Sequence, residues 1–181
     1  GVKICGVRDS KTLGYILNHN YPPEFVGFIS NYKKSKRYVT YENIQKLIKF
    51  KKKGINFVSV LVNPDDRILE KIKNISFDYY QLYDVDPHKT KYIKNKYDKK
   101  IISALTISNE KDISKHKLYQ KISDIILFDG KGYEKSVGFD HNLLNNISRN
   151  LNIMIAGNIN IDNIPIIKKL NYFVWDFCSS H

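Results

Sequence analysis

Cys5 closes a short apolar run, Val2-Lys3-Ile4-Cys5, just ahead of Gly6. A thiol in that place is either a small buried hydrophobe or, with its pKa lowered, a base or nucleophile. Asp129 closes a second run, Ile125-Ile126-Leu127-Phe128. It reads either as a turn or helix-capping carboxylate or as a general acid that keeps its proton in apolar surroundings. Used together, the two groups would take a proton from one carbon and deliver one to an oxygen of the same molecule. Arg37 stands in a loop with Lys33, Lys34 and Lys36. The lysines read as a solvated face, whereas the planar fork of Arg37 suits bidentate capture of a carboxylate. Gln81, Ala156-Gly157-Asn158 and Ser179-Ser180 end other apolar runs. The histidines at 19, 88, 116, 141 and 181 are scattered, without zinc spacing, so no metal is expected.

The elements that must carry these residues alternate. Short runs rich in β-branched and aromatic residues lie at 2–5, 25–29, 56–61, 78–82, 100–105, 124–129, 152–156 and 173–178. Segments of helical period lie between them. Ser10 is expected to cap the first, Thr40 the second, and Pro87 to open the fourth. A polar helix is expected over about 110–120, a helix after Asp140 with Leu143, Leu144 and Ile147 on one face, and a seventh from Asp162. Strict alternation argues for a parallel sheet with right-handed crossovers. Gly6-Val7-Arg8-Asp9 lacks the glycine-rich fingerprint of an open doubly wound sheet. Eight strands favour an α/β fold of the closed (β/α)8 (TIM) barrel type, one domain over 1–181, with the eighth helix missing after Ser180. At 181 residues the chain is short for that fold, which suggests a longer natural chain. In such a barrel the reactive groups sit at the C-terminal ends of the strands, where the runs above end, and the loops after strands 7 and 8 often hold phosphate.

Composition narrows the classes without choosing one. Hydrophobic residues make up 42% and charged residues 27%, an ordinary globular balance. No run approaches a membrane span. Two cysteines, Cys5 and Cys178, do not make a disulfide scaffold, and a cytoplasmic setting is the expectation. The net charge of +12 points either to an anionic partner or to compositional drift in a chain heavy in Lys, Asn, Ile and Tyr.

Taken together these residues resemble phosphoribosylanthranilate isomerase, an enzyme family of tryptophan biosynthesis. Lys3-Ile4-Cys5-Gly6 resembles the family's opening signature, and Gly27-Phe28-Ile29 with Ser35-Lys36-Arg37 its second-strand segment. Gln81-Leu82, Ile126-Leu127-Phe128-Asp129, Gly138-Phe139-Asp140, Ala156-Gly157-Asn158-Ile159 and 176–180 follow in order along the chain. The resemblance implies an Amadori rearrangement of N-(5-phosphoribosyl)anthranilate, with Asp129 as general acid and Cys5 as general base. It implies Arg37 on the anthranilate carboxylate, Gln81 among the substrate-binding residues, and Gly157, Asn158, Ser179 and Ser180 around the phosphate. No metal or organic cofactor is implied, because the substrate nitrogen is the electron sink. The partner is then a phosphorylated small molecule and not nucleic acid or membrane, with the protein a monomer or homodimer. Tyr83-Asp84 stand where the family has His-Gly, and Asn158 replaces its second Gly. The competing reading is a basic barrel that binds nucleic acid or another anion without isomerase activity.

Overall fold

The computed structural model describes residues 1–130, 138–148, 150–169 and 174–178, with the side chains at 166, 169 and 178 excepted. Eight strands close a barrel in chain order: β1 (Val2–Cys5), β2 (Phe25–Ile29), β3 (Asn56–Val62), β4 (Tyr79–Tyr83), β5 (Lys100–Ile107), β6 (Ile125–Gly130), β7 (Ile153–Ile155) and β8 (Val174–Cys178). Every pairing is parallel, and β1 meets β8 with Lys3 opposite Asp176 and Cys5 opposite Cys178. The strands are covered on both faces, which is why they stand out in the sequence as near-continuous apolar runs. Alternate residues divide the core. Phe25, Val58, Val60, Tyr79, Ile102, Ile125, Leu127 and Met154 fill the barrel interior. Val26, Phe28, Phe57, Leu61, Tyr80 and Ile101 face outward, against helix residues such as Leu13, Ile44, Leu69 and Ile93.

Those helices are α1 (Ser10–Leu17), α2 (Tyr41–Leu47), α3 (Asp66–Ile72), α4 (Pro87–Tyr97), α5 (Glu110–Ser114), α6 (His116–Tyr119) and α7 (Ile164–Lys169). Their starts are chemically marked. Asp9, Thr40, Asp65, Asp86 and Asn109 each accept a backbone N–H of the first turn. The first cap is Asp9 and not Ser10: the carboxylate takes both the backbone N–H and the hydroxyl of Thr12 at 2.8 Å. The polar segment at 110–120 is two short helices. The His116 ring nitrogen lies 2.7 Å from the Ile113 carbonyl, the acceptor that a continuous helix would offer to residue 117. After Asp140 only a 3-10 turn forms, over His141–Leu144. Asparagines at 142, 145 and 146 weaken helix propensity there, while Leu144 and Ile147 still reach the core. The expected eighth helix would fall after β8, outside the described residues; among the described residues no helix is long and apolar enough to cross a membrane.

At the N-terminal end of the barrel one device is used twice. Asp78 accepts the Phe57 N–H at 2.7 Å and pairs with Lys52; Asp124 accepts the Ile101 N–H at 2.7 Å and pairs with Lys94. A groove of about 650 Å³ opens on that face beside Asp78, Lys94 and Lys99. In this architecture that end serves stability, and the opposite rim serves chemistry.

Candidate active site

Three of the sequence-derived residues stand at the C-terminal rim: Cys5 and Arg37 together, and Asp129 on β6. Cys5 ends β1 and is buried in the interior cluster. Its register neighbour on β2 is Gly27, where an added Cβ would lie 3.0 Å from Cys5 Sγ and 3.3 Å from Lys3 Nζ. Glycine at 27 is therefore what gives both side chains room. Arg37 reaches back from the β2 loop over the end of β1, its Nη1 3.5 Å from the Cys5 carbonyl. Gly6 makes that approach possible. Its φ is +88°, and a Cβ there would stand 2.6 Å from Arg37 Cδ. The loop is anchored by Asn31, which exchanges two 2.8 Å hydrogen bonds with the Val62 backbone, and by the Val39 N–H on the Ile29 carbonyl. Lys33, Lys34 and Lys36 are exposed, as a solvated face should be.

Asp129 sits on β6, partly open to solvent at the rim. Its carboxyl is pushed up to about 6, chiefly by desolvation and further by the negative charge of Asp176. A hydrogen bond from Tyr83, the Lys3 ammonium and the Gly130 N–H act in the opposite sense. The Tyr83 hydroxyl donates to Asp129 Oδ2 at 2.7 Å, and Gln81 Nε2 donates to the Tyr83 oxygen at 3.3 Å. Gln81 is fully buried one step below the rim, so it stands behind Tyr83 within the barrel. Burial, together with the charges of Asp129 and Asp176, drives the Tyr83 phenol well above its ordinary pKa and keeps it a donor.

Beneath the rim lies a pair that sequence reasoning did not assign. Lys3 Nζ meets Asp176 Oδ2 at 2.7 Å, with the two side chains 0% and 3% exposed. The available signal was a charged residue at an inward position of an apolar strand, once in β1 and once in β8. Tyr83 stands out in the sequence only as a departure from the family pattern; its partnership with Asp129 depends on the fold.

The β7 loop turns on two successive left-handed residues, Gly157 at φ 93° and Asn158 at φ 51°. Asn158 thus takes a conformation in which asparagine is the best substitute for glycine. Its carbonyl accepts from Asn163 Nδ2 at 2.8 Å and Asn160 Nδ2 at 3.2 Å, which holds the turn. Asp84, also in a glycine place of the family pattern, is likewise left-handed at φ 54°. Ser179 and Ser180 lie outside the described residues. Among the described residues no group of three or more His, Cys, Asp or Glu is placed to hold a metal ion.

A closed parallel barrel with a thiol, a carboxyl drawn toward neutrality and a guanidinium at its C-terminal rim is built for acid–base chemistry on an anionic substrate. The family model for N-(5'phosphoribosyl)anthranilate (PRA) isomerase matches residues 2–180, and the chain belongs to that family. It is 28% identical over 172 residues to the N-(5'-phosphoribosyl)anthranilate isomerase of Brucella canis, covering 90% of this chain and 76% of that one. The phosphoribosyl anthranilate isomerase structure from Thermotoga maritima superposes with a TM-score of 0.86 at 24% identity, over 98% of this chain and 86% of the other. A phosphoribosyl anthranilate isomerase in complex with reduced 1-(O-carboxyphenylamino)-1-deoxyribulose 5-phosphate superposes with a TM-score of 0.81 at 24% identity, with the same coverage.

Proposed function

We propose that this chain converts N-(5'-phosphoribosyl)anthranilate to 1-(2-carboxyphenylamino)-1-deoxyribulose 5-phosphate, with Asp129 as general acid and Cys5 as general base. The observation that carries the residue roles is a carboxyl held near 6 on the same rim as a buried thiol. Asp129 gives its proton to the furanose ring oxygen as the C1′–O bond breaks, and the anthranilate nitrogen supplies the electron pair that forms the Schiff base. Cys5, as thiolate, takes the C2′ proton, and the electrons of that bond flow to nitrogen to give the enolamine. The enol hydroxyl then loses its proton as C1′ gains one, so the net change is an isomerisation and no electron acceptor is needed. The family assignment leaves the +12 charge no need of a nucleic-acid partner.

The direct test is incubation of the purified protein with the substrate while anthranilate-ring fluorescence is followed. Loss of fluorescence faster than in the enzyme-free control is expected; a rate equal to the control overturns the reading. Arg37 makes a separate expectation. Arg37→Lys keeps the charge but loses the planar fork, so KM should rise about 10–100-fold with kcat little changed. Steady-state kinetics at saturating and sub-saturating substrate separate the two constants, and an unchanged KM would remove Arg37 from the carboxylate site.

A further inference from the structure

We infer that Tyr83 is the positioning residue of the acid: its hydroxyl holds Asp129 through Oδ2 and stabilises the carboxylate that appears as Asp129 gives up its proton. This rests on the reading of Asp129 as general acid. The phenol reaches from β4 across β5 to β6, passing a strand whose residue in register with Tyr83 is the small Ala104. Gln81 Nε2 fixes the phenol oxygen from below, and both Gln81 and Tyr83 are buried, so the 2.7 Å contact has little freedom to wander. A hydrogen bond to a carboxylate is roughly twice as strong as one to a neutral acceptor. The bond therefore strengthens as the proton moves to the sugar, which is an interaction gained in the transition state and not in the ground state. Among the described residues, the charged and titratable groups that bear on the pair include Lys3 and Cys5 from β1 and Asp176 from β8. Of these, Lys3 opposes and Asp176 favours protonation of Asp129.

Tyr83→Phe keeps the ring and removes only the donor. Its plateau kcat should fall about 10–100-fold, the loss of one hydrogen bond to a charged group, while KM stays within about twofold. The alkaline limb of the kcat/KM profile, set by the acid of the free enzyme, should move to higher pH, because the carboxylate has lost a stabilising donor. In an Asp129→Asn background the same substitution should add little. A wild-type kcat with an unmoved limb, or an equal loss in both backgrounds, overturns the inference and leaves the acid assignment standing. Undiminished turnover in Asp129→Asn alone overturns the acid assignment and the inference with it. Carbon-13 NMR titration of the Asp129 carboxyl reads the hold without turnover: an unshifted titration in Tyr83→Phe also overturns it.

Discussion

Asp129→Asn and Cys5→Ser should each lower turnover by ~10²–10⁴-fold while the barrel stays folded, the usual contribution of a positioned acid or base. Asparagine keeps the shape and still accepts from Tyr83, but it has no proton to give to the ring oxygen. Serine keeps the size of Cys5, yet its hydroxyl does not ionise where a thiol can. Single-turnover measurement of fluorescence loss, beside circular dichroism, separates lost chemistry from lost structure. Near-wild-type turnover in either variant would sink that residue's assignment. Asp129→Asn carries a second signature, in stability. The Asp129 carboxyl titrates near 6 in the fold against 3.8 for the ordinary side chain, so the native state binds protons that the unfolded chain has released. The Asp129 contribution to stability therefore falls as pH rises from about 4 to about 6 and is level above that, against the opposite trend of carboxylates such as Glu70 that the fold holds low. The span is worth about 3 kcal/mol at ~1.36 kcal/mol per unit, and about 1–2 kcal/mol with screening at an open rim. Asparagine escapes that cost, so the variant should melt above wild type at pH 7.5 and lose the advantage by pH 4. A less active, more stable protein is the expected mark of a carboxyl placed for chemistry and not for the fold.

Where the sequence spoke clearly, the physics was local. The strands were legible because burial on both faces leaves unbroken apolar runs, and their ends located Cys5 and Asp129. Arg37 stands out because an arginine among lysines in a rim loop differs from them in geometry and not in charge, and the fold lays it over the end of β1. The failures have local causes of their own. The first cap moved from Ser10 to Asp9 because a carboxylate one residue earlier reached the same N–H. The helix at 110–120 broke where a side chain competed for a backbone carbonyl. Gln81, at a strand end by composition, proved to stand inside the barrel because β4 runs on through Tyr83. Closure was legible from the count of eight units; which side chains it would set against each other was not. Lys3 and Asp176 are 173 positions apart, and nothing near either one announces the other. Only the pairing of β1 with β8 puts an ammonium against a carboxylate, and only the barrel interior makes that contact matter.

That pair supports the second large effect. Lys3→Met should destabilise the protein by about 3–5 kcal/mol, because it leaves the Asp176 carboxylate buried without its cation. The cost is dominated by desolvation, so removing the other partner as well should recover most of it. Lys3→Met with Asp176→Leu replaces two buried charges by apolar side chains, an exchange that is often neutral or stabilising. Urea unfolding of the two single variants and the double closes the cycle, and a coupling of several kcal/mol is expected. Additive losses would mean that the two side chains do not depend on each other. The pair also lies within electrostatic reach of the acid, and its members push Asp129 in opposite directions. Removing both should leave the alkaline limb of the kcat/KM profile close to its wild-type position. Removing Lys3 alone should move that limb to higher pH, since the charge of Asp176 then acts on Asp129 unopposed. A net-neutral pair beneath the rim leaves the proton affinity of Asp129 to the desolvation that dominates it.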